Sequence, residues 1–148
     1  LIAQTTLMDV GAIRFELKQL LGMEVDVLTP NEGELLMLAD APDIETAALR
    51  LLQRGVGALV VTLGERGCAL FRPNAAPLWV PGHAMQVVDT IGAGDTFTGT
   101  LAAQLAQQSP WPQALRWANA AAALSTQAQG AVTAMPARSQ VQAWLHSG

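Results

Sequence analysis

The stretch with the most chemical content is Asp89-Thr90-Ile91-Gly92-Ala93-Gly94-Asp95-Thr96-Phe97, an acid placed directly behind a glycine turn. The apolar run Met85-Gln86-Val87-Val88 before it reads as the end of a strand, and Phe97 to Leu105 after it reads as a helix. A helix N-terminus carries unpaired N–H groups and about half a positive charge. It can therefore receive a phosphate or an oxyanion. Gly92 and Gly94 would let the backbone turn tightly and approach a ligand. Asp95 would repel an anion, so its useful chemistry is to take a proton from a hydroxyl attacking phosphorus. The plainer alternative is an Asp N-cap on an ordinary helix.

Those residues resemble the C-terminal signature of the ribokinase-like (PfkB) carbohydrate kinases, Asp-Thr-x-Gly-Ala-Gly-Asp followed by Thr or Ser and Phe. Every fixed position matches. The resemblance implies that Asp95 is the catalytic base and that the amides of Gly92, Ala93 and Gly94 form the anion hole for the transferring phosphoryl group. Thr29-Pro30-Asn31-Glu32-Gly33-Glu34 resembles the Asn-x-x-Glu motif of the same kinases. By that likeness Asn31 lies near the phosphates and Glu34 acts on Mg²⁺ through its water shell. Magnesium takes oxygen ligands and keeps several waters, so a carboxylate acting through water is chemically sensible. A capping arrangement of Asn31 with the early glutamates explains the same residues without a ligand.

Thr62-Leu63-Gly64-Glu65-Arg66-Gly67 is similar to the family's nucleotide loop, which would place Thr62, Gly64, Glu65 and Gly67 along ATP; a plain hairpin turn is the alternative. The alanine-rich run Trp117 to Thr126 resembles the helix lining the adenine pocket, with Asn119 near the base. Asp89, Ile91, Ala128 and Gly130 match the positions of a monovalent-cation (potassium) site in the ribokinase branch. Simple packing of an alanine helix would account for that region without any ligand.

The elements that must hold these residues alternate. Residues 9–22 read as an amphipathic helix with Ile13, Leu17, Leu20 and Leu21 on one face. Val25 to Thr29 reads as a short strand. A helix follows, with Pro30 in its first turn. Residues 43–54 form a helix with Ile44, Ala47, Ala48, Leu51 and Leu52 inward. Ala58 to Leu63 is a continuous apolar run, as in a strand buried on both faces. Cys68 to Arg72 returns as a hairpin partner, and Leu78–Pro81 and Ala84–Val88 read as further strands. Helices are expected over 94–108, with Phe97, Leu101 and Leu105 on one face, and from Pro112 to Thr126. His83 and His146 are expected to do no chemistry.

Composition narrows the class. The chain has 148 residues, 51% hydrophobic and 14% charged, which suits one domain with a real core. The net charge of −4 argues against nucleic acid or an anionic membrane as partner. One cysteine, Cys68, can form no internal disulfide, which fits a reducing cytosol. No apolar run reaches the ~20 residues of a membrane helix. Residue 1 is Leu and no signal-peptide pattern follows it, so a cytoplasmic protein is expected, with its natural start elsewhere.

The expected fold is an α/β three-layer, ribokinase-like (Rossmann-like) domain with a mostly parallel sheet, corresponding to the C-terminal half of such a kinase. Residues 25–148 would form that nucleotide-binding and catalytic half-domain. Residues 1–24 would be an N-terminal helix of uncertain origin, since Asp9 to Pro30 looks more like the helix–strand segment of small minimal nucleotidyltransferases. The expected activity is phosphoryl transfer from MgATP to a hydroxyl of a sugar or nucleoside. Ribokinase is the leading resemblance, with fructokinase-like and nucleoside-kinase-like relatives open. A nucleotide-binding module without turnover is the alternative. Sheet edges left open would favour self-association as a homodimer.

Overall fold

The computed structural model describes residues 2–4, 25–127, 129 and 135–147. The helix expected over 9–22 lies outside them, as do Ala128 and Gly130. The chain divides into two compact units: residues 1–63 with 69–79, and residues 64–68 with 80–148.

The first unit is built on a five-stranded sheet in the order β1 (Ile2–Gln4), β2 (Val27–Thr29), β3 (Ala58–Thr62), β4 (Cys68–Phe71) and β5 (Leu78–Val80). β1 runs parallel to β2, with Ala3 opposite Leu28, and β2 runs parallel to β3, with Leu28 opposite Leu59. The connections from β3 to β4 and from β4 to β5 are too short for a parallel crossover, which needs a dozen or more residues, so these neighbours are antiparallel. The edge-on contact of Phe71 with Trp79, centroids 5.8 Å apart, joins β4 to β5. Ala58 to Val61 are all buried, as an unbroken apolar run requires.

Among the described residues, this unit also holds helices α1 (Glu32–Ala39) and α2 (Ile44–Gln53). Pro30 stands before the α1 cap rather than in its first turn, because Asn31 takes the cap position. Asp43 caps α2, its Oδ1 accepting from the Thr46 N–H at 2.8 Å. The carbonyls left over at the end of α1 are collected from outside the helix: Arg50 donates to Ala39 O at 3.0 Å and also to Asp40 O. The core gathers Leu28, Leu35, Leu51, Leu59 and Val61, all fully buried, with Ile44 and Leu52 partly buried against it. Full burial of each such side chain is favourable by roughly 1.5–3 kcal/mol.

The second unit is helical: α3 (Ala93–Ala106), α4 (Trp111–Ser125) and α5 (Arg138–Ser147). On α3 the buried set is Thr96, Phe97, Leu101 and Gln104. Gln104 thus takes the place expected of Leu105, and the Ser109 hydroxyl donates to its Oε1 at 2.8 Å, which makes the burial tolerable. Ala120 and Ala121 of α4 meet Val141 of α5, and Arg138 lies over the Trp117 ring at 5.7 Å.

The strand expected at Ala84–Val88 is absent; residues 81–87 are irregular. The Val88 N–H donates to Thr126 O at 2.7 Å rather than to a neighbouring strand, and Val87 and Val88 are exposed. The apolar alternation there had suggested extended chain, but it has no sheet to join.

Candidate active site

Parallel strands end on one side of a sheet, and ligands of open α/β sheets bind beyond those carboxyl ends. β2 and β3 end at Thr29 and Thr62. Just past that edge Asn31 and Thr62 form an isolated parallel bridge, and the Thr62 N–H donates to Pro30 O at 3.0 Å. Asn31 and Thr62, expected in two different motifs, are therefore side by side. The residue types at Asn31 and Glu34 suit either a cap or a ligand site, and the cap is formed in full. Asn31 Oδ1 accepts from the Glu34 N–H at 2.8 Å, while Glu34 Oε2 accepts from the Asn31 N–H at 2.9 Å. Glu34 is buried, and the capping bond fixes its rotamer at the strand edge.

In the second unit the glycine turn leads straight into α3. Gly92 is the N-cap residue, with φ of 81°, a left-handed conformation that favours glycine. It has no side chain to offer the first turn. Asp95 does not occupy the cap position: it is the third residue inside the helix, and it is exposed. The first helical bond joins Thr96 N–H to Gly92 O at 2.9 Å, so the amides just before it precede the ladder. Of the three residues expected to offer amides to an anion, Gly92, Ala93 and Gly94, Ala93 donates its N–H to Thr90 O at 3.2 Å. Thr96 Oγ1 is buried and has no hydrogen-bond partner among the described residues.

The segment before the turn is held from α4. Thr126 O accepts from both Val88 N–H and Asp89 N–H, at 2.7 and 3.0 Å. Asp89 Oδ1 accepts from the Ile91 N–H at 2.9 Å, closing a small Asx turn. Asp89 and Ile91 thus sit beside the end of α4, the helix that precedes Ala128 and Gly130 in sequence.

The loop Gly64–Arg66 is a single 3₁₀ turn, closed by Gly67 N–H to Gly64 O at 3.1 Å. Gly64 has φ of 61°, and a side chain there would meet nothing within 4 Å. Its face is open. Gly67 is the opposite case: with φ of 101°, a Cβ would lie 2.0 Å from Val80 O. Glu65 is exposed between them.

Asn119, expected beside an adenine, is buried, with its Nδ2 facing Val80 O and Pro81 O at 3.4 Å each. Burial pushes the Cys68 thiol up to about 12, against a smaller opposing pull from a hydrogen bond with Asn119. It is a packed, unreactive thiol. Among the described residues no three His, Cys, Asp or Glu converge as a metal cage.

The sequence matches the model of the pfkB family of carbohydrate kinases over residues 7–138. This chain belongs to that family. The match begins well before residue 25, where the motif resemblance had been drawn. The ribokinase of Arabidopsis thaliana is 38% identical over 143 residues, which are 91% of this chain and 37% of that protein. Its solved structure, complexed with ribose and ATP, covers 97% of this chain and 46% of the other at a TM-score of 0.80 and 32% identity. The fold is therefore ribokinase-like α/β with a mixed sheet. The bifunctional protein HldE of Stutzerimonas stutzeri is 44% identical over 103 residues, 66% of this chain and 22% of its own length. A fructokinase from Vibrio cholerae, solved with fructose, ADP and calcium bound, is 33% identical, with a TM-score of 0.81 over 89% of this chain and 44% of that one. The chain spans less than half the length of these relatives.

Proposed function

We propose that this chain supplies the phosphoryl-transfer half of an ATP-dependent sugar kinase. Asp95 takes the proton of a sugar hydroxyl while that oxygen bonds to the γ-phosphorus and the bond from phosphorus to the departing ADP oxygen breaks. The amides of the Gly92–Gly94 turn at the start of α3 stabilise charge on the transferring oxygens. Thr62, Gly64, Glu65 and Gly67 lie along the nucleotide, and Asn31 stands near its phosphates. Asn119 acts from behind, holding Val80 and Pro81. Glu34 would hold magnesium through water, and the metal would supply charge neutralisation on the phosphates. Asp89, Ile91, Ala128 and Gly130 would hold a potassium ion. The ribose and fructose bound by relatives favour a sugar acceptor.

The observation that carries this reading is the position of Asp95: inside the first turn of the helix, exposed, and directly behind a left-handed glycine that takes the cap position itself. Replacing Asp95 by Asn keeps the shape and removes the base. Turnover of a ribose or fructose acceptor with MgATP should fall by about 10²–10⁴. A D95N chain as active as the parent would sink the assignment. A second reading, nucleotide binding without turnover by these 148 residues alone, is favoured by their covering less than half of the Arabidopsis ribokinase. MgATP binding with no phosphorylated sugar would select it.

A further inference from the structure

We infer that Gly82 is a positioning residue for the nucleotide loop, and that its lack of a side chain sets where the Gly64–Gly67 turn lies. This rests on the reading of that turn as the ATP contact. A Cβ built on Gly82 would stand 2.3 Å from Glu65 O and 2.6 Å from Gly67 N. From the other side, a Cβ on Gly67 would stand 2.5 Å from Gly82 N and 2.7 Å from Pro81 C. The two backbones are in direct contact over the residues that the nucleotide would touch. Ordinary Cβ contacts begin at 3.4 Å, so any side chain at Gly82 drives the Glu65 carbonyl back by about 1 Å.

Space alone demands glycine at this position. Gly55, Gly64, Gly67 and Gly92 are the described glycines with positive φ, and Gly82 is not among them. Alanine there would collide with the loop and force it to shift, with no penalty from backbone conformation. The strand end that carries Gly82 is itself fixed on its far side. Asn119 Nδ2 faces the carbonyls of Val80 and Pro81, and the His83 ring meets Trp144 of α5 edge-on, with centroids 5.9 Å apart. Residues 80–83 form a strut held by α4 and α5, against which the loop rests.

The test is MgATP affinity of the full 148-residue chain by calorimetry, with the ligand-free melting temperature and the amide NMR shifts of Glu65, Arg66 and Gly67 measured alongside. Misplacement of a donor or acceptor by about 1 Å takes it out of hydrogen-bond range. Loss of a bond to a charged phosphate in this way should raise the dissociation constant of Gly82→Ala by roughly tenfold to a hundredfold, displace the three amide signals and leave a cooperative melt. Gly99→Ala, whose Cβ meets nothing within 4 Å, is the control and should bind MgATP as the parent does. If Gly82→Ala does not fold, Asn119→Ser decides, since it loosens the same strut without adding an atom; several-fold weaker binding supports the inference. Parent and variant binding equally tightly would overturn the inference and leave the nucleotide site standing. A parent chain that does not bind MgATP at all would overturn both.

Discussion

Single residues in this chain are set by what lies beside them more than by their own chemistry. Cys68 is a thiol by composition but a hydrophobe by position, 1% exposed. Its folded pKa, raised to about 12 from an ordinary 9.0, gives a sign that can be checked. The folded state keeps the proton longer than the unfolded state does. The stabilisation is complete below about pH 9 and is lost as pH rises toward about 12. Urea midpoints of the parent should fall between about pH 9 and 12 more steeply than those of Cys68→Ala, and parallel slopes would remove the claim. Asp95 and Asn31 show how far a sequence can be read at this scale. Both positions were legible because their motifs are local. The cap-versus-ligand question at Asn31 was not, since one side chain can do either until its partners are known. Asn119 was read toward a base; the carbonyls that its Nδ2 faces lie on a segment far away in sequence. No local pattern reports such a partner. Gly82 was passed over for the same reason: its neighbours are Glu65 and Gly67, and a Pro–Gly pair alone signals only a loop.

Elements were legible where their signals are local. α1 and α2 begin at Asn31 and Asp43, each with a side chain that accepts the N–H of the third helical residue. β3 was legible from its unbroken apolar run. Ala84–Val88 failed because alternation reports only a chain that could be extended; whether a neighbour exists to pair with it is a long-range fact. β1 lay too close to residue 1, and was too short, to be seen at all. α3 carries a correctable weakness. Gly99 is exposed in the helix interior with open space around it. Glycine there leaves the unfolded chain more freedom than alanine would. Gly99→Ala should stabilise the chain by about 0.4–1 kcal/mol, read as a higher urea midpoint at unchanged slope. A lower midpoint would show that the position does not tolerate a Cβ.

At the scale of the whole chain, ligand linkage is the simplest probe. If the nucleotide-binding reading holds, MgATP at one hundred times its dissociation constant should add about 2.7 kcal/mol to stability and raise the melting temperature. A cooperative melt that does not move would leave the family motifs in place without a working site. One connection matters in a different way. Residues 84–88 are irregular, mostly exposed and anchored at their end through the Thr126 carbonyl. Brief thermolysin treatment should cut ahead of Val87 or Val88 before it cuts any helix, and mass spectrometry of the first fragments checks this. The nick would fall between Gly82 and Gly92. The loop that is to hold the nucleotide and the acid that is to take the proton would then lie on two separate polypeptides. The molecule contains, at that bond, a natural place to split itself into a complementing pair.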